Sequence, residues 1–167
     1  GTIAENSDGG AAAALAAGAM PALVSHLAAA SSDDNTRSNC AWAIRWIAEK
    51  SDDGAAAALA ADAVPALVFH LCAASSGDST RFYCARTIGE IAEKTNGGGA
   101  AALAAGAMPA LVFHLGAAGS GDNIRSNCAN AVGWIALKSD NGAEAALAAG
   151  AMPMLVLHLS GDATRFS

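Results

Sequence analysis

The chain has 167 residues, enough for one domain, and its 15 acidic and 9 basic residues leave a formal net charge of −6. We expect no nucleic-acid partner, because such a surface needs clustered lysine and arginine, and no membrane partner, because the chain has no basic amphipathic segment. Hydrophobic residues reach 53 % but aromatic residues only 5 %, which predicts a thin, finely packed core of small side chains.

Several residue types recur along the chain at a spacing of 44. The recurring residues are Pro21, Pro65, Pro109 and Pro153; His26, His70, His114 and His158; Cys40, Cys84 and Cys128; and Arg37, Arg81 and Arg125. Self-similarity at such a period indicates a repeat protein. We therefore divide a single domain, 1–167, into a partial repeat 1–6, repeats at about 7–50, 51–94 and 95–138, and a partial repeat 139–167.

The first complete repeat predicts three helices in succession. An Ala-rich helix over 11–17 ends at Gly18, where a left-handed residue is wanted. Pro21 then opens a second helix, at a position where its missing N–H is harmless. Asp34 is predicted to cap a third and longest helix over 35–50.

Equivalent positions carry these predictions into the later repeats. Asp78, Asp122 and Asp162 stand where Asp34 stands in the first repeat. Asp62 replaces the left-handed glycine, and we expect some backbone strain there, because Asp adopts that conformation less readily than Gly. No repeat can bury its apolar face alone, so neighbouring repeats must stack.

Two motifs resemble the armadillo repeat. The first is Gly-Ala-Met-Pro-Ala-Leu-Val at 18–24 and 106–112, with variants at 62–68 and 150–156, and the second is Ala-Trp-Ala-Ile-Arg-Trp-Ile-Ala at 41–48. The resemblance covers essentially the whole chain and implies an all-α fold, a right-handed α-solenoid of stacked three-helix repeats. It also implies that the third helices line a concave groove, which binds an extended peptide or a partner protein.

The nuclear-import adaptors of this family carry a Trp and, one turn later, an Asn on that groove. The Trp position is filled here by Trp42, Arg86 and Asn130, and the Asn position by Trp46, Glu90 and Trp134. Because only Trp42 matches, peptide binding of the import-adaptor kind is the less favoured interpretation.

The predicted binding residues vary between repeats whose framework stays constant, as expected of a surface adapted to a non-repeating ligand. They are Trp42, Arg45, Trp46, Glu49, Arg86, Glu90, Glu93, Asn130 and Trp134. Trp and Arg dominate binding hot spots, and the glutamates predict a ligand with basic residues. The alternative for Trp46 and Trp134 is that they pack against each other or against a neighbouring helix.

Histidine and cysteine recur in one register, which indicates structural roles. Zinc needs ligand nitrogens at about 2.0–2.1 Å, whereas packed helices lie about 8–10 Å apart. We therefore expect no metal, no cofactor and no enzymatic activity, and we expect partly buried, hydrogen-bonded histidines. The cysteines should be buried and reduced, as suits an intracellular protein of the cytoplasm or nucleus, with Cys72 as a looser thiol.

Two interpretations of function remain open. The first is a non-catalytic protein–protein interaction scaffold that holds an extended peptide or partner protein in the groove. The second is a structural segment of a longer solenoid or assembly that stacks through its end faces. Under the second, the isolated chain should self-associate head to tail, because each end exposes the apolar flank of an incomplete repeat.

Overall fold

The computed structural model describes residues 8–29 and 32–163, and within them the chain is helical with no β-strand. The helices are α1 (Asp8–Ala16), α2 (Ala19–Ala28), α3 (Asp34–Lys50), α4 (Asp52–Ala60), α5 (Ala63–Cys72), α6 (Asp78–Lys94), α7 (Gly98–Ala104), α8 (Ala107–Gly116), α9 (Asp122–Lys138), α10 (Gly142–Ala148) and α11 (Ala151–Ala163). Three helices therefore fall in each 44-residue repeat, as predicted.

Each first helix ends at a residue in the left-handed conformation. The backbone angle φ is 67° at Gly18, 58° at Asp62, and 75° at both Gly106 and Gly150. Three of these four are glycines, which reach this region without a Cβ penalty. The prediction that Asp62 adopts the same strained conformation is confirmed, and its side chain makes no capping hydrogen bond.

The prediction that Asp34 caps the third helix is wrong. The cap is Asp33, whose carboxylate accepts a hydrogen bond from the backbone N–H of Thr36 at 2.7 Å. Gly77 and Gly121 occupy the cap position of α6 and α9 without a side-chain hydrogen bond. All three third helices thus begin one residue earlier than predicted. In α3 the reason is that the side-chain acceptor for the first free N–H groups lies one residue earlier.

Asp162 also departs from its predicted role as a cap. It lies inside α11, which continues to Ala163. The predicted break between a second and a third helix is therefore not present between His158 and Ala163, where the backbone stays helical.

The third helices α3, α6 and α9 pack side by side and form one layer, against which the second helices α2, α5 and α8 pack. Small residues allow this close packing: a Cβ added to Gly89 of α6 would lie 3.4 Å from the Cα of Ala131 in α9. The largest fully buried apolar side chains are Leu27, Ile44, Leu67, Leu71, Ile88, Ile91, Leu111, Ile135, Val64 and Val132. The core is therefore continuous from repeat to repeat.

In the described ranges no single helix has both the length and the apolar character to cross a membrane. Three pairs of consecutive helices reach the required length and composition when taken together, but each pair is sharply bent. They are Gly9–Ala16 with Ala19–Ala28, Asp52–Ala60 with Ala63–Cys72, and Gly98–Ala104 with Ala107–Gly116, bent by 79°, 80° and 82°.

Candidate functional site

A network of charged side chains joins α3 to α6 on the third-helix surface. Glu49 pairs with Arg45 on its own helix and with Arg86 across the boundary, where Nη2 lies 3.2 Å from Oε1. Arg86 and Lys94 both approach Glu90, with N···O distances of 3.8 Å. Four of the predicted glutamate and arginine residues, Arg45, Glu49, Arg86 and Glu90, are thus engaged with one another.

Glu90 is the most enclosed carboxylate of this network, with a side chain 15 % exposed. Burial raises the pKa of Glu90, and the nearby carboxylates of Glu49 and Glu93 act in the same direction, whereas Lys94 and Arg86 lower it. A cation from a ligand would therefore stabilise the ionised form of Glu90 in a setting where water does so poorly.

A cleft of about 210 Å³ lies between α6 and α9 and brings together five of the nine predicted residues. These five are Arg86, Glu90, Glu93, Asn130 and Trp134, and Gly89 and Asn127 complete the lining. We call this the first cleft. It combines two carboxylates, two amides, a guanidinium and an indole, so it can accept hydrogen bonds and provide an apolar wall at the same time.

Trp134 stands at the centre of this part of the surface. Besides the first cleft, it lines a shallow neighbouring depression of about 300 Å³ together with Asn130, Gly133 and Leu137. The Leu137 side chain is 72 % exposed. Trp134 therefore packs partly on the core and still borders two open spaces.

The other two tryptophans are placed differently. Trp46 is 7 % exposed and belongs to the core, with the ammonium of Lys50 5.8 Å from its ring centroid. Trp42 is partly buried and also packs on the core. For Trp46, the alternative interpretation of packing against a neighbouring helix thus fits better than an open binding position. Contact between Trp46 and a ligand stays a prediction.

A larger cleft, of about 590 Å³, was missed by the sequence reasoning. It lies at the first turns of α6 and α9 and is lined by Asp78, Ser79, Phe82, Tyr83, Gly121, Asp122, Asn123 and Ile124. We call this the second cleft. One sequence feature could have indicated it: Phe82 and Tyr83 stand where the neighbouring repeats carry Ser and Asn.

The buried histidines connect consecutive repeats, as predicted for a structural role. Nε2–H of His70 donates to the carbonyl of Leu27 at 2.7 Å, and His114 makes the same bond to the carbonyl of Leu71. In each case Nδ1 faces a serine hydroxyl, at 3.4 Å for His70 and 3.0 Å for His114. His26 differs because it is exposed, and the His158 side chain lies outside the described residues.

The cysteines also follow the prediction. Cys40, Cys84 and Cys128 are buried, and Cys72 is exposed. Burial raises the pKa of Cys84 far above its usual value and that of Cys128 to about 12, which makes both thiols poor nucleophiles. In the described part of the chain, no three His, Cys, Asp or Glu side chains are arranged to hold a metal ion.

Stacked three-helix repeats with a cleft-bearing layer of third helices define the class of the molecule, an α-solenoid. A sequence model of the Armadillo/beta-catenin-like repeat matches residues 7–48. No curated protein sequence matches the chain significantly.

Solved structures resemble most of the chain. One is an engineered protein, with a TM-score of 0.82 and 26 % identity over 93 % of this chain and 60 % of that one. A designed armadillo repeat protein has a TM-score of 0.81 and 26 % identity over 93 % and 63 % of the two chains. A third, a designed armadillo repeat protein in complex with the peptide (KR)4, has a TM-score of 0.80 and 25 % identity over 93 % and 62 %.

The armadillo model thus matches one repeat of the chain, and the solved structures share its fold, so the all-α solenoid predicted from the sequence is confirmed. The chain spans about three-fifths of the length of the three structures described above.

Proposed function

We propose that this chain is a non-catalytic scaffold that binds an extended peptide with basic side chains on the surface of the third helices. The observation that carries the proposal is the first cleft, in which the carboxylates of Glu90 and Glu93 lie beside the indole of Trp134. A peptide partner would place a lysine or arginine side chain in this cleft.

The chemistry of the cleft favours a cationic side chain for two reasons. Arg86 and Lys94 approach Glu90 only to 3.8 Å, and Glu93 makes no ion pair with another described residue. Carboxylate oxygens therefore remain available, while an aromatic face attracts a cation placed over it. The exposed amide of Asn130 offers both a donor and an acceptor for the backbone of an extended peptide.

The comparisons support the same class of ligand. A designed armadillo repeat protein of this fold was solved with a peptide of alternating lysine and arginine. The armadillo fold generally serves as a non-catalytic binding scaffold, which supports this proposal.

The test is a calorimetric titration of the chain with the (KR)4 peptide at low and high salt. We expect binding that weakens as salt rises, because the contacts are charged and partly exposed. Glu93→Gln and Trp134→Ala should each weaken it, the latter by about 2 kcal/mol if the indole is a hot spot.

Glu144→Gln is the matched control, because it makes the same charge change at an exposed position in α10. If Glu144→Gln weakens binding as much as Glu93→Gln does, the peptide responds only to net charge and the groove proposal fails. Absence of any (KR)4 binding at low salt would also contradict the groove proposal.

A second candidate is the structural role, in which chains stack on one another. Exposed apolar side chains on the last two helices favour it: Leu147, Met152 and Val156 are 64 %, 53 % and 61 % exposed. A head-to-tail contact is heterologous, so it would build open chains or rings.

A further inference from the structure

The boundary between α3 and α6 is closed at its N-terminal end by one carboxylate. Asp34 Oδ1 accepts hydrogen bonds from the backbone N–H of Gly77 at 2.8 Å and from the hydroxyl of Thr80 at 2.9 Å. A Cβ on Gly77 would collide with this carboxylate, so the two helix ends are in direct contact there.

The equivalent boundary between α6 and α9 lacks this closure. Ile124 stands at the position of Thr80 and has no hydroxyl to donate. Asp78, at the position of Asp34, has a side chain 74 % exposed and turns instead to Arg81 of its own helix, at 3.5 Å. Nothing lies within 4 Å of a Cβ built on Gly121, and the second cleft occupies the space that results.

The two clefts lie on the same face of the α6–α9 pair. Ser79, Tyr83, Arg86, Glu90 and Glu93 follow one another at steps of three or four residues, which places them in one stripe along α6. The centres of the two sets of lining residues are about nine residues apart on α6, or about 13 Å at 1.5 Å per residue. An extended peptide covers that distance in about four residues.

The second cleft has an apolar wall and an acidic rim. Phe82 and Tyr83 pack edge to face, with ring centroids 5.0 Å apart. Ile124 is buried below, and the exposed carboxylate of Asp78 stands at the opening. A lysine fits this combination, because its aliphatic stem can lie along the rings while its ammonium reaches the carboxylate.

We propose that the second cleft binds a second lysine of the same peptide, four positions from the lysine in the first cleft, so that the peptide runs along the α6–α9 boundary. This inference rests on the proposed function, since the first cleft must take a basic side chain too. It assigns a spacing to the ligand, which the proposed function alone does not.

The experiment compares two capped seven-residue peptides made of glycine and two lysines. In one the lysines are four positions apart, and in the other they are adjacent, so that length, composition and charge are identical. NMR titration should show that the spaced peptide binds about five- to tenfold more tightly, the size expected for one partly exposed ion pair with a buried stem.

Two variants test the cleft itself. The double substitution Phe82→Ser with Tyr83→Asn introduces the residues that the neighbouring repeats carry at these positions, so the fold should tolerate it. Ile124→Thr supplies the missing hydroxyl and should let Asp78 close the boundary as Asp34 does. Both variants should remove the preference for the spaced peptide and leave the affinity for the adjacent-lysine peptide unchanged.

The outcomes separate the inference from the proposed function. Equal affinities for the two peptides, or a preference that survives in both variants, would overturn the second cleft as a lysine site and leave the proposed function intact. If neither peptide binds and (KR)4 does not bind either, the proposed function fails and the inference falls with it.

Discussion

Single backbone positions decide how each repeat turns from its first helix to its second. Gly106 has φ at 75° with open space around its Cα, whereas Gly133 lies inside α9, exposed and also with open space. Conformation alone therefore distinguishes these two glycines, since neither has a neighbour that a methyl group would strike.

We predict opposite effects of the same substitution at these two positions. Gly106→Ala should lower the free energy of unfolding by about 1 kcal/mol, because Ala is strained at positive φ. Gly133→Ala should raise it by about 0.5–1 kcal/mol, because Ala is the better helix former. Urea denaturation measures both, and a change of the same sign in the two variants would contradict the explanation.

A second prediction at the residue scale concerns His70 and pH. Burial lowers the pKa of His70 below its usual 6.5, and the charge of Arg37 adds to this, whereas the Leu27 carbonyl and Asp34 oppose it. The folded chain thus binds a proton at His70 less tightly than the unfolded chain does. The contribution of neutral His70 to the free energy of unfolding is therefore present above pH 6.5 and is lost as the pH falls below it.

The measurement is the free energy of unfolding at pH 7.5 and pH 5.5 for the chain and for His70→Gln. Glutamine keeps a donor for the Leu27 carbonyl but does not titrate. We expect a smaller fall in stability for the variant over this interval, and an equal or larger fall would show that His70 is not the responsible group.

At the scale of helices, neighbouring repeats contact one another at the ends of their third helices as well as along the middles. The Asp34 bridge joins the first turn of α3 to the first turn of α6 across 43 and 46 residues of sequence. Lys94 does the same at the opposite end, donating to the carbonyl of Ala48 at 3.2 Å and to that of Glu49. Both bridges satisfy groups that a helix leaves free at its ends.

We predict that Asp34→Ala lowers the free energy of unfolding by about 1.5–3 kcal/mol, because two hydrogen bonds to a charged acceptor are lost. Asp78→Ala is the matched control, since its side chain is mostly exposed and has one long ion pair; exposed pairs contribute about 0–1 kcal/mol. Chemical denaturation should separate the two variants, and similar losses would mean that the bridge adds little.

At the scale of the whole molecule, the last two helices leave large apolar side chains exposed, including Met152 at 53 % and Val156 at 61 %. We predict that the apparent mass from static light scattering rises with concentration. Met152→Glu with Val156→Glu should shift this rise to higher concentration, because a charge opposes burial of that face. A constant monomer mass over the full range would remove the stacking proposal and leave peptide binding unaffected.

Local sequence was sufficient to predict the repeat and its helices. The left-handed turns at Gly18 and Asp62 and the opening of each second helix by proline depend on backbone preferences of the residues themselves. The intracellular location expected from the cysteines stays a prediction, as does the exact set of ligand-contacting residues. Five of those nine residues nevertheless line one cleft, because residues one turn apart share a face of the helix.

Only the tertiary structure decided which of these surfaces are open. Whether a Trp at the groove position is buried, as Trp46 is, or borders a cleft, as Trp134 does, depends on the helix that packs beside it. The second cleft likewise exists because Ile124 stands at the position equivalent to Thr80. It lies opposite Asp78, a whole repeat earlier in the sequence, and cannot donate the hydrogen bond that Thr80 donates to Asp34. Backbone conformation is set mainly by neighbours in sequence, but burial and hydrogen-bond closure are set by neighbours in space.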